Sequence, residues 1–405
     1  MVPATARAVE HRGRLRGMRH LAVVVVAGAL SIGAARQDET FVPLFDGTSL
    51  KGWVNINCAP DTFGVRDGVI TSTGAPICEI RTERMYENFV LELEYMHQKP
   101  MGNAGVFVWA DALPARGQPF LRAIEVQVLD GRNSETYTSH GDVFAIHGAV
   151  LTPDRPHPNG SMRSLPSERR AKGPGEWNHY RITANKGTLK LAVNGKEVSG
   201  GYNISPRKGY IALESEGAPT LFRNIRIREL PSAGTLPPAQ VATAYEGHKA
   251  LYDGKSLAGW IVPADRALHW KSTDWTLTHE GEPSGTPIPL LSAETYGDVE
   301  VIADWRWADE KEPAATQPAP ATMPARVPSG ARAVVMPQAG GPAEPAGKWN
   351  RVVQRIVGNR LTMTVNGKMV VDNAAQDGLP ANGRIALVPA GRKVEFANVL
   401  VRTLP

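Results

Sequence analysis

Acidic and amide side chains recur at every second residue in three short segments of this chain. Side chains two residues apart point to the same face of an extended strand, so each segment has one polar face and one apolar face. Paired carboxyl groups on such a face can transfer protons or bind polar ligands. The alternative is a solvated outer face, but none of the three polar faces carries a Lys or Arg, which favours a polar groove. The pairs are Glu92 and Glu94, Glu125 and Gln127, and Glu214 and Glu216.

A second group of candidate residues lies in the segment 139–160, SHGDVFAIHGAVLTPDRPHPNG. Imidazole and carboxylate groups placed so close together can act as acid and base or can ligate one divalent cation such as calcium. His140 and Asp142 are the candidate metal ligands, and His147 is a candidate acid or base. The spacing matches no specific metal signature, so a loop held by hydrogen bonds is the alternative.

The segments that carry these residues have the pattern of short β-strands separated by turns. Asn194-Gly195 and Asn366-Gly367 each lie between two alternating runs, which is the strongest short signal for a β-hairpin. No long stretch has the 3.6-residue period of an amphipathic helix. The chain is therefore predicted to be all-β, with its strands packed as two-sheet antiparallel jelly-roll sandwiches.

Five sequence blocks occur twice in the same order, which indicates a tandem duplication. DGTSLKGW at 46–53 returns as DGKSLAGW at 253–260, and GYIALESEG at 209–217 returns as GRIALVPAG at 383–391. EWN, LKLAVNGKEV and FRNIRIREL recur in the same way. The predicted domains are 41–230 and 245–405, joined by the Pro- and Ala-rich linker 231–244.

The second copy is shorter in its middle, where it contains the Pro- and Ala-rich insert 313–330 in place of central strands. In the alignment of the two copies Glu94 becomes Asp304, while Glu214 and Glu216 become Val388 and Ala390. The blocks that build the fold survive in both copies, but the acidic face survives in the first alone. We therefore expect function in the first copy and a structural or accessory role for the second.

The first copy contains an ordered set of blocks between 41 and 230: LFDGTSLKGW, RDGVI, YENFVLELEY, GNAGVFVW, EVQVLD, GEWNHYRI, VNGKEV and FRNIRI. This set resembles the 3-keto-disaccharide hydrolase domain family, which has a concanavalin A-like lectin/glucanase fold. The resemblance implies two tandem concanavalin A-like jelly-roll sandwiches, the second shorter. It also implies an exported enzyme that acts on an oligosaccharide or glycoside whose 3-hydroxyl group has been oxidised to a ketone.

Cleavage of a 3-keto-glycoside requires a base for the acidified hydrogen on carbon 2, an acid for the leaving oxygen, and a group that polarises the ketone. Glu125 and His147 are the predicted catalytic pair. The other polar residues of the first copy are expected to bind substrate. They are Glu94, Asn103, Trp109, Gln127, Asp130, Glu214 and Glu216.

Two other functions remain open at this point. EVQVLD loosely resembles the E-x-D-x-x-E strand of laminarinase-type glucanases, in which two carboxylates perform a retaining hydrolysis. Gln127 and Asp130 replace the middle and last acids of that motif, which weakens this interpretation. The third possibility is a carbohydrate-binding module without catalytic activity.

The basic residues of the chain are concentrated at its beginning. The net charge is +5, and residues 1–36 hold six arginines but a single acid, so the remainder is neutral and a nucleic-acid partner is not expected. Arg16 and Arg19 precede the apolar run 21–32 and then small residues, the order of a signal peptide. We expect a periplasmic or extracellular protein whose mature form has no membrane span.

Cys58 and Cys78 are the only two cysteines in 405 residues. Export would allow a disulfide between them, but the sequence leaves a free pair equally open.

Overall fold

The computed structural model describes residues 40–130, 141–232, 234–264, 267–281, 288–308, 328–338 and 340–405. Within these ranges the only helical segments are two short 3-10 turns, at Pro238–Gln240 and Ala267–His269, and all other regular structure is strand. The predicted all-β class is confirmed. No helix in this described part is long and apolar enough to cross a membrane. Residues 40–405 form one compact unit.

The first copy folds as a sandwich of two sheets, here called sandwich one. Its sixteen strands are β1 (Val42–Pro43), β2 (Trp53–Ile56), β3 (Phe63–Arg66), β4 (Val69–Ser72), β5 (Cys78–Thr82), β6 (Phe89–His97), β7 (Asn103–Ala110), β8 (Ala123–Leu129), β9 (Val143–Ile146), β10 (Val150–Pro153), β11 (Arg163–Ser164), β12 (Asn178–Asn185), β13 (Thr188–Val193), β14 (Lys196–Ser205), β15 (Tyr210–Ser215) and β16 (Thr220–Glu229).

The strands of sandwich one pair in an order that brings distant segments together. Sheet I has the order β10-β14-β13-β12-β6-β16-β4-β3, with β1 also paired to β16. Sheet II has the order β11-β9-β8-β7-β15-β5-β2. The expected hairpin joins β13 to β14, and its Asn194 and Gly195 both have positive φ, as such a tight turn requires.

The apolar faces of sheets I and II form the core of sandwich one. Leu91 and Leu93 of β6 and Val106 and Val126 of sheet II are buried in this core. Because side chains alternate along a strand, the residues between them point away from the core on the outer faces of both sheets. The polar residues of β8 and β15 therefore lie on the outer face of sheet II.

The second copy forms sandwich two, which is smaller. Its strands are β17 (Lys249–Ala250), β18 (Trp260–Ile261), β19 (Trp270–Thr273), β20 (Thr276–His279), β21 (Leu290–Ser292), β22 (Val299–Trp307), β23 (Ala331–Val335), β24 (Asn350–Val357), β25 (Arg360–Val365), β26 (Lys368–Ala375), β27 (Arg384–Leu387) and β28 (Val394–Thr403). Sheet III has the order β19-β20-β28-β22-β24-β25-β26, with β17 also on β28, and sheet IV has the order β18-β21-β27-β23.

Sheet IV confirms that the second sandwich is the shorter one. β23 pairs with β27 in parallel, whereas β7 at the matching place in sheet II pairs with β15 antiparallel. Among the described residues, no strand of sheet IV corresponds to β8, β9 or β11 of sheet II. Most of the Pro- and Ala-rich insert, residues 309–327, lies outside the described residues.

Cys58 and Cys78 form a disulfide, with their Cα atoms 5.2 Å apart, which settles the alternative left open by the sequence. The segment after β16 is held against sandwich one by main-chain hydrogen bonds: Ala242 N–H donates to Lys208 O at 2.8 Å, and Ala112 N–H donates to Thr243 O at 3.1 Å. The region expected to be a linker therefore packs along the first copy.

Candidate functional site

The outer face of sheet II brings five of the predicted site residues together. Asn103 of β7, Glu125 and Gln127 of β8, Glu214 of β15 and Glu216 just beyond it all lie on this face. The strand register explains the arrangement, because Gln127 lies opposite Gly105 and Glu125 opposite Phe107. Alternation within each strand and antiparallel pairing between strands together build this polar surface.

Glu125 and Glu214 approach each other across Gly105. A Cβ atom on residue 105 would stand 2.9 Å from Glu214 Oε2 and 3.1 Å from Glu125 Oε1, so the two oxygens are at most about 6 Å apart. The same Cβ would stand 2.9 Å from Phe107 Cε1. Gly105 has no unusual φ, so its role is to leave room for the two carboxyl groups.

Burial raises the pKa of both carboxyl groups. Glu125 is 8% exposed and Glu214 is 1% exposed, and each lies in the electrostatic field of the other acids. Desolvation, followed by repulsion from Glu216, raises the pKa of Glu125 to about 8, although nearby Arg163 acts to lower it. Desolvation and the charges of Glu125, Glu216 and Glu79 raise the pKa of Glu214 well above its usual range. The positive charge of Arg163 lowers the pKa of Glu125 and so favours the ionised form of this carboxyl group.

Amide groups connect this pair to Glu216. Gln127 Nε2 donates to Asn103 Oδ1 at 2.8 Å, and Asn103 Nδ2 donates to Glu216 Oε2. Desolvation raises the pKa of the half-buried Glu216, although the Asn103 hydrogen bond opposes this change. Gln127 Oε1 and Glu214 Oε2 are buried and have no hydrogen-bond partner among the described residues. These two oxygens are therefore unmatched acceptors within the polar face.

Arg163 supplies the positive charge of the site, and the sequence reasoning did not identify it. It lies on β11, which pairs with β9, and its Nη1 donates to Asp142 Oδ2 at 2.9 Å. Its guanidinium group lies over the Phe144 ring, 3.7 Å from the centroid. β11 is only two residues long, so no alternation marked it as a strand in the sequence. A guanidinium group near a carboxyl pair can stabilise a developing oxyanion.

Glu79 and Arg81 of β5 extend the polar face and were also missed. Glu79 lies directly opposite Glu214 in the sheet, and desolvation raises its pKa well above the usual range. Arg81 is fully buried, with its guanidinium group 4.2 Å from the ring centroids of Tyr210 and Tyr245. The alternation of Glu79 and Arg81 in CEIRT was the signal that could have placed them on this face.

Two predicted substrate-binding residues lie elsewhere. Glu94 is on the outer face of sheet I, where it accepts hydrogen bonds from Arg223 Nε at 2.6 Å and Asn224 Nδ2 at 2.9 Å. Trp109 is fully buried in the core of sandwich one, and its Nε1 donates to Glu87 O at 2.7 Å. Its φ of 55° breaks the alternation of β7 and turns the indole inward. The structure therefore separates Glu94 and Trp109 from the polar face of sheet II, and their roles in substrate binding stay predictions.

The remaining predicted residues border the site or fall outside the description. His147 is in the turn after β9 and stacks on Phe120 with ring centroids 6.0 Å apart. Asp130 follows β8 and accepts a hydrogen bond from Met101 N–H at 3.2 Å, so it holds a turn beside the sheet. Asp142 is buried and ion-paired with Arg163, and His140 lies outside the described residues. Within those residues, no group of three or more His, Cys, Asp or Glu side chains converges to hold a metal ion.

Solved structures with related architecture include a Parabacteroides distasonis protein provisionally described as a glycosyl hydrolase. It is 20% identical, with a TM-score of 0.38, and the match covers 48% of this chain and 95% of that one. A Bacillus licheniformis β-glucanase is 14% identical, with a TM-score of 0.34 and coverages of 48% and 100%.

Sequence comparison identifies the family. A relative from Bacteroides thetaiotaomicron, named 3-keto-disaccharide hydrolase, is 25% identical over 268 residues, which cover 51% of this chain and 87% of that protein. The family model described as 3-keto-alpha-glucoside-1,2-lyase-like domain matches residues 40–228 and 321–402. The resemblance seen in the ordered sequence blocks is thus confirmed, and this chain belongs to the 3-keto-alpha-glucoside-1,2-lyase-like domain family.

Proposed function

We propose that this protein is a carbohydrate-active enzyme that cleaves 3-keto-glycosides, including 3-keto-disaccharides, by elimination followed by hydration. The observation that carries the proposal is the buried pair of Glu125 and Glu214, with Arg163 near Glu125. Membership of the family and the name of the Bacteroides thetaiotaomicron relative support the same reaction class.

The reaction needs one base and one acid in the same site. The ketone at carbon 3 acidifies the hydrogen on carbon 2, so ionised Glu125 takes that proton as the electrons form a double bond to carbon 1. Protonated Glu214 gives its proton to the glycosidic oxygen as the bond from carbon 1 breaks. Water then adds across the double bond to complete the net hydrolysis. Two coupled carboxyl groups that hold one proton between them meet both needs.

Arg163 stabilises the enolate that forms when carbon 2 loses its proton. Its fixed guanidinium group, held by Asp142, provides positive charge without reorganisation during the reaction. Gln127 and Asn103 bind hydroxyl groups of the sugar ring, and His147 contacts the substrate at the edge of the groove. Burial lowers the pKa of His147, so its ring is neutral at pH 7.

Binding of a divalent cation by the polar segment 139–160 is a separate proposal. The described residues do not form a cation site, and Asp142 is occupied by Arg163. The steps given above are written for protein side chains alone. Dialysis against a chelator, followed by assays with and without added calcium, would detect a requirement for it.

Hydrogen isotope exchange tests the proposed mechanism. In D2O, elimination and hydration place deuterium on carbon 2 of the released 3-keto-sugar, which mass spectrometry and proton NMR detect. The proposal also expects Glu125→Gln to reduce turnover of a 3-keto-glycoside roughly a hundredfold or more, the scale of acid–base catalysis. Product without deuterium at carbon 2, or full activity of the variant, would contradict it.

A retaining glycoside hydrolase is the second candidate function. The separation of Glu125 and Glu214, at most about 6 Å, is compatible with the ~5–5.5 Å of a retaining pair. This pair comes from two strands, whereas the glucanase motif would require both acids on β8. Parallel assays of a 3-keto-glycoside and the unmodified glycoside separate the candidates. Binding of both sugars without turnover would indicate a carbohydrate-binding module.

We also propose that the protein is exported to the periplasm or the extracellular space. The Arg-rich start, the apolar run 21–32 and the disulfide between Cys58 and Cys78 support this location. The intact mass of secreted or periplasmic protein is expected to show removal of the chain up to about residue 34–37. A mature chain that retains Arg16 and Arg19 would contradict the proposal.

A further inference from the structure

The connection between β7 and β8 reaches from the candidate site to sandwich two. This β7–β8 loop, residues 111–122, folds back on itself: Asp111 N–H donates to Arg122 O at 2.9 Å, and Ala115 N–H donates to Phe120 O at 2.8 Å. Arg122 also binds both carboxylate oxygens of Asp111, each at 2.8 Å. The loop is therefore an ordered hairpin with its tip at residues 115–118.

One side of the β7–β8 loop packs against the candidate site. Phe120 contacts Phe107, with ring centroids 6.4 Å apart, and Phe107 lies beside Glu125 and Glu214. Leu121 N–H donates to Glu79 Oε1 at 3.3 Å, and Ala112 O accepts a hydrogen bond from Arg81 Nε at 3.0 Å. The position of this loop therefore determines how the polar face of sheet II is covered at one end.

The tip of the loop is bound by a buried polar cluster of sandwich two. Gly117 N–H donates to Asp304 Oδ2 at 2.8 Å. Arg351 Nη2 donates to Pro114 O at 2.9 Å, and Asn398 Nδ2 donates to Gln118 O at 3.0 Å. Asp304 accepts from Arg351 Nε at 2.7 Å and from Asn398 Nδ2 at 2.7 Å, so the three side chains hold one another in place.

Gly117 fits this surface because it has no side chain. A Cβ on residue 117 would stand 2.1 Å from Trp349 Cγ, and the residue has a φ of +67°, which favours glycine. Trp349 itself packs against Trp275, with ring centroids 5.6 Å apart. The contact therefore combines main-chain recognition with close steric fit.

Sandwich one has a related cluster around Glu94, in which the arginine comes from β16. Glu94, which aligns with Asp304, lies opposite Arg223 in the sheet and accepts its hydrogen bond. In sandwich two the residue opposite Asp304 is Ala397, whose methyl group cannot donate a hydrogen bond. Arg351 of β24 binds Asp304 from the other neighbouring strand, and Asp304 Oδ2 also accepts from Gly117. The alanine therefore leaves room at this carboxylate for the main chain of the loop.

We infer that sandwich two is a positioning domain, which binds the tip of the β7–β8 loop and so holds Phe120 and Leu121 against the candidate site. The inference rests on the proposed function, since the site it supports is the one that cleaves 3-keto-glycosides. It assigns Asp304, Arg351 and Asn398 as positioning residues that act through Gly117. They do not touch the substrate.

The test is the full-length Gly117→Ala variant compared with Gly195→Ala. Both glycines have positive φ, but a Cβ at Gly195 meets no atom within 4 Å, so this control measures the backbone cost alone. We expect Gly117→Ala to reduce kcat/KM about tenfold or more while Gly195→Ala stays near wild type. Adding Trp349→Ala to Gly117→Ala removes the clash and is expected to restore part of the loss.

Two measurements do not require activity. Arg116 is exposed at the tip, so release of the loop is expected to increase trypsin cleavage after Arg116. It is also expected to increase hydrogen exchange of the Leu121 amide, which is protected by Glu79 in the intact protein. Wild-type protein without turnover would contradict the proposed function. A released tip with unchanged Leu121 exchange, or with unchanged kcat/KM in an active enzyme, would overturn the positioning role.

Discussion

The carboxyl groups of Glu125 and Glu214 reach the same point above sheet II from two strands that are not neighbours. β7 lies between β8 and β15, and Gly105 of β7 leaves the space in which the two side chains meet. The close approach of the two carboxyl groups therefore depends on Gly105, which has no side chain, and substitution of this glycine measures the dependence.

Gly105→Ala is expected to separate the carboxyl pair. The added methyl group would stand 2.9–3.1 Å from Glu214, Phe107 and Glu125, so these side chains must move. Overpacking of this kind costs about 1–3 kcal/mol of unfolding free energy, and we expect at least a tenfold loss of kcat. Gly64→Ala is the matched control, since its Cβ would meet only Thr71 Oγ1, at 3.3 Å. Equal effects of the two substitutions would contradict the role of Gly105.

The stability of the protein is expected to fall as the pH rises from about 4.5 through about 8. Glu125 has a raised pKa of about 8 in the folded protein, so the folded state binds its proton more tightly than the unfolded state does. The stabilisation is complete below the unfolded pKa and is lost as the pH passes the folded one. Urea unfolding of wild type and Glu125→Gln across this pH range measures the loss. The free energy of unfolding of the variant is expected to change less with pH.

Glu92→Gln is expected to change the pH dependence of stability in the direction opposite to Glu125→Gln. Burial opposes ionisation of Glu92, but hydrogen bonds and charge from Arg226 and Arg181 outweigh it and lower the pKa. Its contribution to stability is therefore present above the unfolded pKa and lost as the pH falls. If Glu125→Gln and Glu92→Gln changed the profile in the same direction, the assignment of a raised pKa to Glu125 would be wrong.

Arg163→Gln is expected to move the pH dependence of catalysis. Ionised Glu125 is the proposed base, so kcat/KM should rise with pH through about 8 in the wild type. Removal of the Arg163 charge raises the pKa of Glu125 further and shifts this rise to higher pH. Arg163→Lys keeps the charge and should shift the profile less. Arg170→Gln, which affects an ion pair with Glu168, is the control, and an identical profile in Arg163→Gln would contradict the proposal.

His147→Ala separates substrate contact from proton transfer. The imidazole stacks on Phe120, and no hydrogen bond to either carboxyl group is present among the described contacts. We therefore expect KM for a 3-keto-glycoside to rise several-fold while kcat stays within about twofold. A loss of kcat near that expected for Glu125→Gln would instead make His147 a catalytic acid or base.

The sequence was sufficient for the fold class and for bringing the polar residues of β8 and β15 to one face. Glu125, Gln127 and Glu214 were found because alternation assigns a side chain to one face of a strand. Alternation does not say which sheet a strand joins, and Glu94 was misplaced for that reason. Trp109 was misplaced because a positive φ interrupts the alternation.

The residues that the sequence reasoning missed depend on long-range pairing. Arg163 reaches the site through a two-residue strand, and Glu79 reaches it because β5 lies beside β15. The contact of Gly117 with Asp304 joins residues 187 positions apart. No local sequence pattern encodes such contacts. The sequence therefore predicted an accessory role for the second copy without showing which part of the first copy it contacts.

Arg223 makes the outer face of sandwich one different from that of sandwich two. It donates to Glu94 and lies over Trp177, 3.8 Å from the ring centroid, so a side chain of the same sheet covers the place that Gly117 contacts on sandwich two. The tip of the β7–β8 loop could not contact Glu94 in the same way without displacing this arginine. We therefore expect the two outer faces to differ in selectivity, with the tip bound by sandwich two in preference to sandwich one.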